Sequence, residues 1–394
     1  MADNLATRPA SKRIALFLDG TWNTTNDNTN VWRLRALTAP VGADNVRQAI
    51  YYNAGLGTQV GSKVRGGMFG LGIDDILLES YRWRVENYND GDELYIFGFS
   101  RGSYTARSLS GFIGRCGVLL PGGPLSIRQL YDRYRLGLTV PSIERLLNHP
   151  PKNPSLEEQW LVKYSRLVSI RFLGVFDTVG SLGVPLGLSR FKAKHRFLNT
   201  SLRTANMAAA HALAIDEHRK DFSPTLWTRT VPKDQNADQP RAPRTLREAE
   251  QRWFVGAHAN VGGGYSNDLL AQRPFSWMMK RAAAEGLSFR SDVEEFSPSI
   301  RSPVIDSYGS FLGGLYKLFA PENQRAIGAE PDDRPTEVES TINETIDSSV
   351  FERWRTDPTY RPDNLAEWAK RKNFELSKSL GSVRADNRTP VPEE

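Results

Sequence analysis

A serine flanked by glycines has the spacing of a catalytic nucleophile. Gly98-Phe99-Ser100-Arg101-Gly102 fits the pattern G-x-S-x-G, which is short enough to arise by chance. An apolar run precedes it and a helical pattern follows it, which is the setting of a nucleophile elbow. There Gly98 and Gly102 leave room for a tight turn, and Ser100 projects its hydroxyl above the sheet. A phosphate-binding loop is the rival interpretation, but no G-K-[ST] follows.

A nucleophilic serine needs a base, and the chain has five histidines. His258 follows the apolar run "RWFVGA" and precedes glycines, so we expect it at the carboxyl end of a strand, where catalytic groups of open α/β sheets gather. His211 falls in "NMAAAHALAIDEHR", which predicts a helix in which it packs. The remaining three are assigned to a loop or to solvated surroundings: His149, His195 and His218. His258 is the predicted base.

The acid that orients this base should lie between the serine and the histidine in the chain. Asp177 ends the apolar run "SIRFLGVF", again at a predicted strand terminus. Asp216 is the competitor, but it is predicted to sit in a helix beside Glu217 and Arg219, with an exposed or ion-paired role. The position at a strand terminus favours Asp177 as the acid.

Backbone N–H groups near the serine could bind a developing oxyanion. Arg101 begins the helix that follows Ser100, and "LFLDGTWN" places Gly20 and Thr21 directly after the first strand. We predict the second donor from Gly20 or Thr21. Asp19 lacks the D-x-D-G-T context of metal-dependent phosphotransferases, because residue 17 is phenylalanine. The predicted mechanism uses no metal and no cofactor.

Short apolar runs and helical patterns alternate along the chain and position these groups. The apolar runs predict buried strands at 13–20, 47–53, 93–99, 169–177 and 252–258. Helical patterns lie at 73–88, 102–115 and 274–286. This order predicts an α/β fold with a mostly parallel central sheet flanked by helices. Residues 121–165 read as a helical insertion or cap.

The predicted organisation is one catalytic domain at 13–370, with a flexible N-terminus at 1–12 and a tail at 371–394. Within the domain, residues 290–370 form a peripheral C-terminal part. We expect the last twelve residues, "VRADNRTPVPEE", to be disordered.

Composition limits the class of protein. Hydrophobic residues make up 39% of the 394 residues, enough for a core. The lone Cys116 excludes an internal disulfide and a cysteine-based zinc cluster. A signal peptide and an apolar run of transmembrane length are both missing, so we expect a chain that is cytoplasmic as synthesised, with any export through a signal-independent system. The net charge of +6 comes without the aromatic and basic signature of a nucleic-acid binder.

Several stretches in order resemble the catalytic domain of the type VI secretion phospholipase effectors of the G-x-S-x-G class. They span about 12–290: "LFLDGTWN", "YYNAGLGT", "YIFGFSRGSYTAR", "FLGVFDTVGSLG", "HALAIDEHRKDFSPTLW" and "RWFVGAHANVGGGY". The resemblance implies an α/β-hydrolase core with Ser100, Asp177 and His258 as a triad. It also implies phospholipase A activity, an antibacterial effector role, and secretion or immunity proteins as partners. Relatives often carry aspartate where this chain has Asn260.

Two segments have the composition of lipid contacts. Residues 186–197 combine apolar side chains with four cations that could meet an anionic membrane or headgroup: Arg190, Lys192, Lys194 and Arg196. Residues 308–319, "YGSFLGGLYKLF", could line an acyl groove. A solvated basic face and a core-covering helix are the alternative interpretations.

The predicted function is a serine esterase or lipase acting on glycerophospholipids. Two alternatives stay open. One is a soluble esterase acting on a small molecule or an acylated substrate, and the other is a non-catalytic binding module.

Overall fold

The computed structural model describes residues 11–20, 27–55, 73–179, 202, 205–234, 242–266, 268–291, 301–318 and 320–392. The strands are β1 (Arg13–Leu18), β2 (Gln48–Asn53), β3 (Glu93–Phe99), β4 (Val118–Leu119), β5 (Ser165–Arg166), β6 (Ile170–Phe176), β7 (Asn206–Ala214), β8 (Thr228–Pro232), β9 (Ala249–Phe254), β10 (Asp332–Asp333), β11 (Glu337–Thr341), β12 (Glu344–Ile346) and β13 (Val383–Arg384). The helices are α1 (Asn30–Leu37), α2 (Ile73–Asn87), α3 (Arg101–Cys116), α4 (Ile127–Arg135), α5 (Ile143–Asn148), α6 (Leu156–Tyr164), α7 (His258–Gly262), α8 (Gln272–Ala284), α9 (Ser307–Ser310), α10 (Ser348–Thr356) and α11 (Asp363–Arg371).

Eight strands form the central sheet in the order β13-β12-β9-β7-β6-β3-β1-β2. Neighbouring strands from β12 to β2 run parallel, and β13 pairs with β12 in the antiparallel direction. Strands β10, β11 and β8 make a separate three-stranded sheet, and β4 pairs with β5. The predicted α/β architecture with a mostly parallel sheet is confirmed.

Side chains that alternate along the strands build a core on each face of the sheet. In β1, Leu16 packs on one face with α2 and α3, while Phe17 packs on the other face with α1 and α8. Because both faces are covered, every residue of β1 is buried. Such strands read as continuous apolar runs, which is why the sequence locates them.

The predicted helical insertion contains α4, α5 and α6. Its aromatic side chains Tyr131 and Tyr134 pack on Phe112 in the C-terminal half of α3. Arg115, also in that half, donates hydrogen bonds to the carbonyls of Gly137 and Val140. These contacts lie toward the opposite end of α3 from Ser100. The role of the insertion as a cap stays a prediction.

The C-terminal part of the chain, predicted as peripheral, supplies the two strands at one edge of the central sheet. Strand β12 extends the sheet beside β9, and a third core there joins Trp253 of β9 to Phe351 and Trp368 of α10 and α11. The prediction that the last twelve residues are disordered is wrong, because β13 pairs with the edge of β12 and Ala385, just after β13, is buried.

The helix predicted around His211 is wrong. Residues Asn206–Ala214 form β7, buried between β6 and β9. The alanines favour a helix by intrinsic propensity. Two neighbouring strands supply the backbone hydrogen bonds instead, and small side chains suit a strand covered on both faces.

Candidate active site

Ser100 lies at the turn between β3 and α3, with a positive φ of 57°. Glycines are needed on both sides of it. A Cβ on Gly98 would lie 2.6 Å from the carbonyl oxygen of Gly102, and one on Gly102 would lie 2.1 Å from that of Leu18. The turn therefore holds Ser100 in a conformation that non-glycine residues rarely adopt. Ser100 is partly exposed at the carboxyl end of the sheet.

His258 begins α7, just after the carboxyl end of β9, and connects two of the predicted residues. Its Nε2 lies 2.8 Å from Ser100 Oγ, and its Nδ1 lies 2.5 Å from Asp177 Oδ2. Aromatic rings flank the imidazole, with centroids 4.8 Å away for Phe99 and 5.1 Å away for Phe222. Burial lowers the pKa of His258, even though Asp177 opposes this shift.

Asp177 follows β6 and, like Ser100, has a positive φ, here 39°. Its carboxylate is completely buried. It accepts hydrogen bonds from the backbone N–H of Ala214 (3.0 Å) and from both terminal nitrogens of Arg325 (2.7 and 3.0 Å). Burial alone would raise the pKa of Asp177, but Arg325 and His258 outweigh burial and hold it well below its ordinary value.

A second buried carboxylate, Glu217, supports the histidine from its backbone side. Its Oε2 accepts a hydrogen bond from the N–H of His258 (3.2 Å) and one from the hydroxyl of Ser307 (2.8 Å). Burial would raise the pKa of Glu217, but its ion pair with Arg219 outweighs burial and lowers the pKa to about 2. The helix predicted at this point, with an exposed or ion-paired role for Asp216, is wrong, because Asp216 and Glu217 are buried just after the end of β7.

The predicted oxyanion donors differ in their surroundings. The N–H of Gly20 donates to Asp19 Oδ1 at 2.7 Å, so in this arrangement the Asp19 carboxylate engages it. The role of Gly20 as an oxyanion donor stays a prediction. Thr21 lies outside the described residues. Arg101 begins α3, where backbone N–H groups point out of the helix.

Four predicted contacts with lipid fall outside the described residues, namely Arg190, Lys192, Lys194 and Arg196. Of the predicted acyl groove, Tyr316 is buried and donates a hydrogen bond to Asp221 (2.8 Å). None of the helices within the described ranges combines the length and apolar character needed to cross a membrane.

Sequence reasoning missed Arg325 and assigned no role to Glu217, which it named only as a neighbour of Asp216. Arg325 lies 148 residues after Asp177 in the chain, in a segment without regular secondary structure. No local pattern marks an arginine in such a segment. For Glu217, the apolar run that precedes it was the available signal, since a strand ending at residue 214 places the next residues at the same sheet edge as Asp177.

The arrangement joins a hydroxyl, an imidazole and a buried carboxylate in one hydrogen-bonded chain. An imidazole hydrogen-bonded in this way can remove a proton from the hydroxyl, and the carboxylate fixes its tautomer and orientation. No group of three or more possible metal ligands occurs within the described part of the chain.

The mostly parallel sheet flanked by helices is consistent with an α/β-hydrolase-like fold. Comparison with known families gives a more specific assignment. Residues 12–281 match the family model "T6SS, Phospholipase effector Tle1-like, catalytic domain". The chain belongs to this family.

The similar individual proteins are distant. The uncharacterized protein YEL023C of Saccharomyces cerevisiae is 26% identical over 243 residues, which are 56% of this chain and 33% of that protein. An uncharacterized protein from Pseudomonas aeruginosa has a crystal structure with 18% identity and a TM-score of 0.42, covering 71% of this chain and 47% of its own. The structure of the Tle1 effector bound to the VgrG spike from the Type 6 secretion system has 18% identity and a TM-score of 0.35, covering 66% of this chain and 52% of its own. The chain thus spans a third to a half of these proteins.

Proposed function

We propose that this chain is a serine hydrolase that cleaves carboxylic esters by acyl transfer. Ser100 is the nucleophile, His258 the general base and Asp177 the acid that orients it. The observation that carries the proposal is the pair of hydrogen bonds that His258 makes, 2.8 Å to Ser100 and 2.5 Å to Asp177. The strained backbone at Ser100 supports it further.

The mechanism has two half-reactions. His258 Nε2 takes the proton of Ser100 Oγ as Oγ attacks the ester carbonyl carbon. His258 then gives that proton to the leaving alcohol, and the acyl group stays on Ser100. Water, deprotonated by His258, releases the acid and restores the serine. The N–H of Arg101 is the first proposed oxyanion donor and that of Gly20 or Thr21 the second, and loss of one donor costs about 10²–10³ in rate.

The proposed substrate is a glycerophospholipid, cleaved at an acyl ester as in phospholipase A. This part rests on membership of a family described as phospholipase effectors. Membrane contact through the cations at 190–196, delivery by a type VI secretion system and an antibacterial role belong to the same proposal. A soluble ester is the other substrate class that a serine hydrolase site would accept.

The test compares Ser100→Ala with Ser108→Ala, a buried serine of α3 whose hydroxyl donates to the carbonyl of Tyr104. Wild type and Ser108→Ala should react with a fluorophosphonate probe and release fatty acid and lysophospholipid from defined vesicles. Ser100→Ala should lose probe labelling and nearly all hydrolysis.

Mass spectrometry of the products identifies the bond that is cleaved. Hydrolysis by Ser100→Ala at the wild-type rate contradicts the proposed nucleophile. Turnover of short soluble esters without turnover of vesicles supports the soluble esterase and rejects the phospholipase.

A further inference from the structure

Arg325 is a completely buried cation at the centre of the site. Its Nη1 donates to Asp177 Oδ1 (2.7 Å) and to the carbonyl of Ala214 (2.7 Å). Its Nη2 donates to Asp177 Oδ2 (3.0 Å) and to the carbonyl of Phe222 (2.5 Å). All four terminal N–H bonds of the guanidinium thus have acceptors. The planar group clamps both carboxylate oxygens in one geometry.

This contact changes both the ionisation of Asp177 and the electrostatic effect of its carboxylate on His258. An isolated buried carboxylate is costly to ionise, so it tends to take up a proton. The Arg325 charge offsets that cost and also neutralises part of the field that Asp177 would exert on the imidazole. Both effects keep Asp177 as an anion while His258 stays in its neutral, basic form.

We propose that Arg325 is a positioning residue that holds Asp177 ionised and aimed at His258, so that the C-terminal part of the chain completes the catalytic machinery. The inference rests on the proposed hydrolase function for its catalytic meaning. Its electrostatic content can be measured without turnover.

Other charges also face the imidazole, and the test must leave them in place. Glu217 and Arg219 approach His258 from the turn after β7 and form an ion pair with each other. His211 of β7 accepts a hydrogen bond from the N–H of Thr178, the residue after Asp177 (3.1 Å), and burial lowers its pKa to about 3, so it is neutral. Arg325→Gln keeps all of these and removes one charge.

The experiment measures the His258 titration by NMR on protein labelled with ¹³C-histidine, with His258→Gln to assign the signal. In Arg325→Gln we expect the His258 pKa to rise by about one unit or more, because the protonated imidazole then takes over from Arg325 as the counter-charge of the buried Asp177 carboxylate. The acid limb of kcat/KM on a soluble ester should move up in parallel, with kcat lowered at least about tenfold. Arg325→Lys should bring the His258 pKa back most of the way to its wild-type value, since lysine restores the positive charge.

Arg281→Gln is the matched control. Arg281 of α8 is also buried, pairs with Glu250 (2.6 Å) and donates to two backbone carbonyls. That variant should lose stability and leave the His258 titration unchanged.

The possible outcomes separate the two proposals. An unchanged His258 titration in a folded Arg325→Gln overturns the role of Arg325. A shifted titration in a protein that never labels with the fluorophosphonate probe supports the electrostatic link and rejects the serine hydrolase.

A measurement on the wild-type protein decides the case in which Arg325→Gln does not fold. Labelling with ¹³C-aspartate, with Asp177→Asn to assign the signal, follows the ionisation of the Asp177 carboxyl directly. We expect this carboxyl to stay ionised down to the lowest pH at which the protein remains folded. Protonation in the ordinary aspartate range, about pH 4, or above it would overturn the role of Arg325.

Discussion

At the scale of single residues, the site depends on two backbone positions as much as on side chains. Ser100 and Asp177 both have positive φ, which costs about 1–3 kcal/mol for a non-glycine residue. Their surroundings enforce it. The N–H of Ser100 donates to the carbonyl of Phe176, the residue before Asp177. The two turns are therefore fixed to each other, and so are their side chains.

Gly102→Ala tests this packing. Its Cβ would lie 2.1 Å from the carbonyl oxygen of Leu18 and 2.5 Å from that of Asp19, and neither backbone atom can move alone. We expect a loss of several kcal/mol in the free energy of unfolding, comparable to overpacking in a core, and a large loss of esterase activity. Urea unfolding and probe labelling measure the two effects.

Gly381→Ala is the control, because the Cβ that this substitution adds would have no atom within 4 Å. Equal stability of the two variants would mean that the turn at Gly102 can relax.

The proximity of Ser100, Asp177 and His258 could be predicted from the sequence because each follows an apolar strand, and the carboxyl ends of parallel strands meet at one edge. Arg325 could not be found in this way. Its partner is distant in the chain, and only tertiary structure brings the two together.

At the scale of elements, Asp216 connects the turn after β7 to the turn after β9 and to the C-terminal part. Its Oδ2 accepts hydrogen bonds from the N–H of Gly256 (2.7 Å) and the hydroxyl of Tyr360 (3.1 Å). Gly256 lies two residues before His258. Burial raises the pKa of Asp216 to about 6, from an ordinary 3.8, although these hydrogen bonds oppose the shift.

This shift predicts a pH dependence of stability. The folded state binds the Asp216 proton more tightly than the unfolded state does, so this contribution is fully present below about pH 4 and is lost as pH rises through about 6. Its size is at most about 3 kcal/mol. Asp216→Asn should therefore lose less stability than wild type between about pH 4 and about pH 7, as measured by urea unfolding.

Asp347→Asn provides a control in which the pH dependence of stability has the opposite sign. Asp347 is also buried, but Arg273 and Arg252 outweigh burial and lower its pKa. Removing its charge should cost more stability at neutral pH than at low pH. Parallel pH profiles for Asp216→Asn and wild type would reject the assigned role of Asp216.

Strand β7 shows where sequence reasoning failed at this scale. Its run "NMAAAHALA" contains five alanines, and alanine has the highest helix propensity. The position between β6 and β9 decides its conformation, and nothing within the run encodes those neighbours. Strands rich in branched and aromatic residues, such as β3, were predicted correctly because propensity and environment agree.

At the scale of the whole molecule, the C-terminal part shares a buried core with the strand that leads to the site, and we expect the two to fold as one unit. Trp368 of α11 is completely buried, its ring packs near Phe374 (5.1 Å between centroids) and its Nε1–H donates to the carbonyl of Ala385. The same core reaches Trp253 of β9, the strand that leads to His258 at the sheet edge. The family match ends at residue 281, before most of this core.

Trp368→Ala tests the coupling. We expect it to cost about 3–5 kcal/mol, the usual cost of a buried tryptophan, and to leave a single unfolding transition in which structure and esterase activity are lost together. Circular dichroism and activity along one urea series measure this. Trp354→Ala, at a half-buried tryptophan under Arg361, should cost far less. Activity that outlasts the transition in Trp368→Ala would show that the site folds without its C-terminal neighbour.

The pairing of β13 with β12 has a consequence for handling the protein. Strand β12 has three residues, and its outer edge is covered by only two residues from the far end of the chain. An uncovered edge exposes backbone groups that can recruit a strand from another molecule. A chain cut before Val383 would leave this edge open and should self-associate on storage, so these C-terminal residues protect the sheet against aggregation.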